Sequence, residues 1–322
     1  MDVDLAQELN DLIDLVTPFA ILAANELRVP DALAAGPLPV DRLADNLGCQ
    51  PDPLRRLLRT LSRKGIFDEV EPDMYGLGRL GQLLRSDHPI SLREANVPWL
   101  PNVVSLNMLA HSVRTGQPAF EHVHGMTLWG YLAAHPSDGA MFDRQMRSIS
   151  GFEAASLLCT YEWDTVRSVV DLGGGDGTLL NVLLSEHKSL TGTLFDLPHV
   201  VESVVGRFSV VPGDFLVDEL PRGGEIYVVK RILYGFDDAK VMTLLRALRR
   251  AMERDARLLV VEPFTGAPDD PYFTHRVDLL MMAVPGGRVR SADELSAMLA
   301  DAGFATKRVI SSATPTLEAV AT

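Results

Sequence analysis

The sequence predicts an α/β architecture in which a mainly parallel, doubly wound sheet follows a helical N-terminal domain. Three observations carry this prediction. Val169-Val170-Asp171-Leu172 runs straight into Gly173-Gly174-Gly175-Asp176-Gly177, an apolar strand meeting a glycine turn. From about residue 165 short apolar runs alternate with helical patterns, as right-handed crossovers within one sheet require. Before that point apolar residues recur at helical spacing, with only a short hairpin pattern between them.

Leu5, Leu9, Leu12, Ile13 and Val16 fall on one helical face, and Pro18 marks the start of a second helix with Ile21, Leu22, Leu27 and Val29 apolar. Residues 38–84 read as a winged helix. Leu43 and Leu47 lie on a short helix that Gly48 ends; Leu54, Leu57, Leu58 and Leu61 stripe the next, which Gly65 ends. Ile66-Phe67 and Tyr75-Gly76-Leu77 then form two short strands around Glu71-Pro72-Asp73. Further helices fill 100–160, joined by turns at Thr115-Gly116-Gln117-Pro118 and His135-Pro136. Beyond them, strands are expected at 168–172, 191–195, 208–211, 225–230, 256–261, 304–310 and 316–321, and helices at 177–186, 198–206, 238–253 and 292–301. The expected domains are a helical, winged-helix-containing dimerisation domain over 1–100, connecting helices lining a substrate pocket over 101–160, and a Rossmann-like cofactor domain over 161–322. Amphipathic N-terminal helices need a partner surface, so a homodimer is expected.

The chain has 322 residues and a net charge of -13. That charge opposes nonspecific binding to nucleic acid or an anionic membrane, because phosphate binding needs a cationic face. Arg55, Arg56, Arg59, Arg63 and Lys64 would give a winged helix a DNA-reading face, but Glu69, Glu71 and Asp73 follow at once. Cys49 and Cys159 are far apart and fit no metal spacing or disulfide framework, which suits a reducing cytoplasm. No basic segment precedes an apolar core at the N-terminus, and no apolar run approaches the ~20 residues that span a bilayer. His122 and His124 lack a third ligand nearby, so no metal site is expected.

After Leu172 the backbone must turn sharply and admit a ligand, and glycine does both without a side-chain clash. Gly173, Gly175 and Gly177 make Gly-x-Gly-x-Gly. The dinucleotide fingerprint is Gly-x-Gly-x-x-Gly with pyrophosphate on the helix N-terminus. The shorter form suits a cofactor without pyrophosphate, and its spacing favours S-adenosylmethionine; a ligand-free tight turn is the alternative for a lone glycine motif. Two features favour the ligand. Asp196 ends the second strand in Leu194-Phe195-Asp196-Leu197-Pro198, where a carboxylate can accept from both ribose hydroxyls. Asp214-Phe215, after Pro212-Gly213, offers adenine a polar contact and an apolar face.

On these motifs the chain resembles the S-adenosylmethionine-dependent O-methyltransferases that include plant phenylpropanoid and flavonoid enzymes and bacterial tailoring enzymes of polyketide and related natural products. The resemblance covers nearly the whole chain. It includes the N-terminal dimerisation domain, Thr115-Gly116-Gln117-Pro118-Ala119-Phe120, the glycine motif, Phe195-Asp196-Leu197-Pro198, Gly213-Asp214-Phe215 and Gly286-Gly287-Arg288. It implies that Gly173 and Gly175 line the cofactor's methionine end, that Asp196 holds the ribose and that Asp214 and Phe215 flank the adenine. Lys230 and Ser150 would also contact the cofactor, and Asp171 and Leu197 complete the expected cofactor set. Trp99, Asn107, His111, Met126 and Met146 would face a small aromatic acceptor, with Met282 from the Met281-Met282 run on the pocket wall. S-adenosylhomocysteine would be the product. The family usually has a longer helix and loop after the position of Asp196; a shortened surface helix is expected here.

The chemistry departs from the family's pattern. Methyl transfer from a sulfonium is an in-line displacement, and alignment alone can supply ~7–11 kcal/mol. A phenol has a pKa of about 10, so a base helps at neutral pH, and histidine suits the task. The family's usual block is Leu-His-Asp-Trp with histidine as base, whereas this chain has Leu233-Tyr234-Gly235-Phe236-Asp237. A tyrosine of ordinary pKa is only about 0.1% ionised at pH 7, a poor base. Glu262, in Val260-Val261-Glu262-Pro263, matches the first of two glutamates that buttress the histidine, and Val289 stands where the second would be. Tyr234 and Glu262 are therefore the catalytic candidates. Three readings follow. The enzyme methylates by proximity an acceptor that ionises easily, such as a carboxylate or acidified phenol, or it uses another base, His111 or His275. Alternatively it binds the cofactor but catalyses hydroxylation, decarboxylation or a pericyclic reaction. A non-catalytic binding or regulatory role stands beside these three.

Overall fold

The computed structural model describes residues 3–95, 98–266 and 272–322. Its packing separates two compact units, Met1–Trp99 and Leu100–Thr322. In the first, α1 (Val3–Leu12) leaves Leu5, Leu9 and Leu12 61%, 61% and 77% exposed, an apolar stripe open to a partner. Helix α2 (Val16–Glu26) begins two residues ahead of the expected Pro18. Asp14 explains the earlier start: its Oδ1 accepts the N–H groups of Val16 and Thr17 at 2.8 and 3.0 Å, donors otherwise orphaned at a helix start.

Helices α3 (Val29–Ala32), α4 (Val40–Leu47) and α5 (Pro51–Ser62) pack on a small antiparallel sheet. Its strands β1 (Leu38–Pro39), β2 (Phe67–Glu71) and β3 (Met74–Leu77) lie in the order β1-β3-β2, the wing of a winged helix. Leu43, Leu58, Leu61, Phe67 and Tyr75 are fully buried at its centre. Arg55, the best-placed cation of the basic helix, is already engaged. Its Nε donates to Asp73 Oδ1 at 2.7 Å, and Asp52 and Asp41 stand 3.6 and 3.8 Å away.

The second unit opens with α6 (Leu100–Leu106), α7 (Leu109–Thr115), α8 (Ala119–His124), α9 (Leu128–Ala134) and the long α10 (Pro136–Thr160). Seven strands follow: β4 (Ser168–Leu172), β5 (Thr191–Asp196), β6 (Ser209–Pro212), β7 (Ile226–Lys230), β8 (Arg257–Val261), β9 (Phe304–Ile310) and β10 (Thr316–Ala321). They form one sheet in the order β6-β5-β4-β7-β8-β10-β9, parallel except for β10 against β8 and β9. The strand order reverses at β4, so ligand chemistry belongs beyond the carboxyl ends of β4, β5 and β7.

Helices α11 (Thr178–Glu186), α12 (Pro198–Val201), α13 (Asp238–Ala251), α14 (Tyr272–Ala283) and α15 (Ala292–Asp301) complete the unit. Side chains alternate across β4. Val170 and Leu172 join the core with α13 and α15, and Val169 joins the core with α10 and α11. Burial on both faces explains why the central strands read as unbroken apolar runs.

Two helices of this unit depart from expectation. Helix α14 is not among the expected helices. Its residues mix His275, Arg276 and Asp278 with apolar neighbours and close on Leu279-Leu280-Met281-Met282, so no single stripe stands out. Helix α12 stops at Val201 rather than near 206. The chain turns back at once so that Arg207 can donate to the carbonyls of Leu184 and Lys188, at 2.5 and 3.0 Å, over the end of α11.

Candidate active site

The glycine turn follows β4, with Gly173, Gly175 and Gly177 all left-handed at φ 67°, 62° and 76°. Their surroundings differ. A Cβ on Gly173 would lie 2.5 Å from Ile232 Cδ1 and 3.7 Å from the Phe215 ring, so that glycine lets three segments converge. A Cβ on Gly175 would meet nothing within 4 Å, which leaves its backbone open toward a ligand.

Beneath the turn Asp171 is fully buried, and neither carboxylate oxygen has a hydrogen-bond partner. Burial pushes its carboxyl up to about 7, against the pull of Lys230. Such an orphaned carboxylate beside an open turn fits a ligand that brings a cationic group. Asp196 Oδ2 accepts the Gly175 N–H at 2.8 Å and Oδ1 accepts the Leu197 N–H at 2.7 Å. Burial raises its carboxyl, and these two backbone donors pull it back. Phe215 meets Phe236 edge-on at 5.8 Å, whereas Asp214 Oδ1 is turned to its own loop, where it accepts the Leu216 N–H at 2.8 Å.

The segment after β7 is held from three sides. Lys230 Nζ stands 3.7 Å from Glu153 Oε2 on α10. Arg231, left-handed at φ 57°, donates from Nε to Glu153 Oε1 at 2.7 Å and from Nη1 to Tyr234 Oη at 3.2 Å. A short 3₁₀ turn, Leu233–Gly235, then carries Tyr234. Its backbone is clamped by Arg290, a fully buried guanidinium that donates to the carbonyls of Leu233 and Phe236, both at 2.9 Å, and to Asp238. Gly287 permits this approach, because a Cβ there would lie 2.1 Å from the Tyr234 carbonyl oxygen.

Tyr234 is buried against Val277 and Val289, with Phe273 and Met281 packed on the cluster. Burial pushes its phenol above the usual tyrosine range, and Arg231 recovers only part of the shift. A base role for Tyr234 is therefore weaker than its sequence position suggests: the side chain is a neutral phenol whose oxygen accepts from Arg231. Glu262 is fully buried at the end of β8, and its Oε2 accepts the Tyr234 backbone N–H at 3.2 Å. Oε1 has no partner, and burial pushes the carboxyl up to about 7. With Val289 in the cluster, the wall opposite Tyr234 is apolar.

The expected residues thus fall into groups. Gly173 lies against Ile232 and the Phe215 ring, Lys230 stands beside Glu153 and pulls on Asp171, and Glu262 accepts the Tyr234 N–H. Ser150, buried on α10, lies one turn from half-buried Met146 and one from Glu153. Asn107 and Met126 are exposed, and His111 stacks on His122 with ring centres 4.0 Å apart. Trp99 is buried at the end of the first unit. His275 is exposed on α14. Among the described residues Met281, rather than Met282, packs on the Tyr234 cluster, because α14 turns that side of the pair inward. The sequence reading missed Glu153, Arg231 and Arg290. Glu153 could have been found three residues after Ser150, on the same helical face.

An O-methyltransferase domain model matches residues 106–305, and an O-methyltransferase dimerisation domain model matches residues 10–87. The chain is similar to the phenazine O-methyltransferase PhzM of Lysobacter antibioticus, 33% identical over 94% of this chain and 92% of that one. The aclacinomycin 10-hydroxylase RdmB of Streptomyces purpurascens is also similar, 33% identical over 98% of this chain and 88% of that one. Among solved structures, an O-methyltransferase from neocarzinostatin biosynthesis, in complex with S-adenosylmethionine and 2-hydroxy-5-methyl naphthoic acid, superimposes with a TM-score of 0.74. It is 34% identical, covering 98% of each chain.

Proposed function

Because the chain belongs to the S-adenosylmethionine-dependent O-methyltransferase family, we propose that it methylates a hydroxyl or carboxyl oxygen of a small aromatic or polyketide-like natural product. The observation that carries this reading is the convergence, at the carboxyl ends of β4, β7 and β8, of an open glycine turn, an orphaned carboxylate and a buried phenol in an apolar wall. Asp171, Gly173, Gly175, Asp196 and Leu197 would hold the cofactor, with Ser150, Lys230, Asp214 and Phe215 at its flanks. When bound, S-adenosylmethionine supplies an electrophilic methyl group.

The chain's own contribution is alignment and exclusion of water. Glu262 fixes the Tyr234 backbone, Arg290 fixes the turn beneath it, and the Val277–Val289 wall offers an aromatic ring an apolar face. The exposed α1 stripe and the dimerisation domain support a homodimer. Among the described residues no helix is long and apolar enough to cross a membrane. The proposed setting is the cytoplasm, without a nucleic-acid partner.

The test is label transfer from methyl-labelled S-adenosylmethionine to phenolic and aryl-carboxylic acceptors, with S-adenosylhomocysteine measured alongside. Methylated product in step with S-adenosylhomocysteine is expected, and transfer that survives Tyr234→Phe assigns the chemistry to proximity or to another base. Tyr234 and Val289 at the usual His and Glu positions, together with the likeness to a hydroxylase, favour one second reading: a non-methylating reaction on bound cofactor. Substrate converted with no S-adenosylhomocysteine formed would establish it in place of the first.

A further inference from the structure

The Tyr234 phenol sits at the end of a polar chain built into the core. Arg231 Nη1 donates to Oη at 3.2 Å, Arg231 Nε donates to Glu153 Oε1 at 2.7 Å, and Thr314 Oγ1 donates to the same oxygen at 2.5 Å. The Arg231 and Glu153 side chains are 14% and 1% exposed. Arg231 also takes a left-handed backbone, which a residue with a Cβ disfavours. The fold thus keeps a guanidinium on this phenol against both burial and backbone strain.

The sense of the hydrogen bond decides what Tyr234 can do. A guanidinium only donates, so Oη is the acceptor and the phenol's own proton is left over from that pair. A neutral phenol polarised by a cation is a strong donor to an oxygen that carries negative charge. Two carboxyls also act on it, each with one oxygen engaged and the other, Glu153 Oε2 and Glu262 Oε1, without a hydrogen bond. Glu153, from α10, takes Arg231 and Thr314 and lies near Lys230; Glu262, from β8, takes the Tyr234 backbone N–H. From α14, Asp278 Oδ1 accepts the Val289 N–H at 2.7 Å. The rest of the wall is Val277, Val289, Phe273 and Met281.

We propose that Tyr234 and Arg231 form an anion anchor, which selects an aromatic acceptor that enters already ionised: an arene carboxylate, or a phenol acidified by a neighbouring electron-withdrawing group. This rests on the methyltransferase reading. Tyr234 touches the acceptor; Arg231 acts through Tyr234 and Glu153 through Arg231, as positioning residues. The step then balances without a base on the enzyme. A lone pair of the acceptor oxygen forms the O–C bond, the methyl C–S bond breaks, its electron pair stays on sulfur, and no proton moves.

The experiment binds a nitrophenol and a hydroxynaphthoate, whose phenolates absorb at longer wavelength than the phenols, to protein saturated with S-adenosylhomocysteine across a pH series. Bound probe should ionise below its solution pKa. Tyr234→Phe and Arg231→Gln should return that ionisation toward the solution value and weaken binding about 10- to 100-fold, as loss of one hydrogen bond to an anion does. Arg231→Lys should restore part of the shift. S-adenosylhomocysteine affinity and melting temperature, read on the same samples, report an intact fold, and Glu153→Gln substitutes for a variant that does not fold. Absence of binding, probe bound neutral, or an ionisation that Tyr234→Phe leaves in place overturns the anchor. Methyl transfer to a phenol bound neutral overturns the anchor and leaves the methyltransferase reading. Anion binding with no transfer to any acceptor keeps the anchor and overturns that reading.

Discussion

Asp171 and Glu262 are buried carboxyls with orphaned oxygens, and each predicts a different behaviour. For Asp171 the folded pKa, about 7, lies above its unfolded value. The stability associated with its protonated form is therefore fully present below the unfolded pKa and is lost as pH rises through 7. A carboxyl displaced this far corresponds to at most about 4 kcal/mol at pH 8. Asp171→Asn should thus melt higher than wild type at pH 8 without ligand, with the gap closing toward pH 5, while its affinity for S-adenosylmethionine falls. A melting series across pH checks the first effect and calorimetry the second; an unchanged gap between pH 5 and 8 would rule out the buried charge as its cause. For Glu262 the expected role is to accept the Tyr234 N–H. Glu262→Gln keeps an acceptor and should hold methyl transfer within about tenfold, while Glu262→Leu strands a buried donor at about 1–3 kcal/mol. Collapse of transfer in Glu262→Gln would instead make the carboxylate a base. The residues legible in the sequence were those whose neighbours spell a turn or strand end, such as Gly175 and Asp196. Glu153 and Arg231 were not legible, because they meet only when α10, β7 and the β9–β10 hairpin are assembled.

Arg290 and Gly287 govern where Tyr234 sits, although neither faces the open glycine turn. A Cβ at Gly287 would press on the Tyr234 carbonyl oxygen at 2.1 Å. Gly287→Ala should therefore displace the Leu233–Gly235 turn and lower methyl transfer by roughly 100-fold, the cost of about 1 Å of misalignment. Cofactor affinity should stay near wild type, since Gly173 and Gly175 lie on another segment. Equal loss of both, measured by label transfer and by titration, would contradict this division of labour. The strands of the sheet were legible to within a residue or two, because burial on both faces writes unbroken apolar runs such as Leu258-Leu259-Val260-Val261. Helix α14 was not, because the same apolar content spread over Phe273 to Met282 has no dominant face. Helix α12 was overdrawn for a related reason: Val204 and Val205 continue its apolar pattern, while Arg207 draws the chain away to α11.

The exposed stripe of α1 predicts how the whole protein associates. Leu9→Glu with Leu12→Glu puts two charges on a face that is apolar and open in one chain. Sedimentation should then shift from dimer toward monomer, with the melting of Leu100–Thr322 unchanged; a wild-type monomer at working concentration would refute the dimer. The seven-stranded sheet bears on the same question from its borders. At one edge β6 is four residues long and ends on Pro212, which has no N–H to offer. At the other, β9 presents Lys307 and Arg308 among its exposed positions. Short, proline-stopped and lysine-bearing borders refuse an added strand. Both borders of the sheet are thus poor templates for an added strand, while the α1 stripe leaves an apolar helical face open to a neighbour.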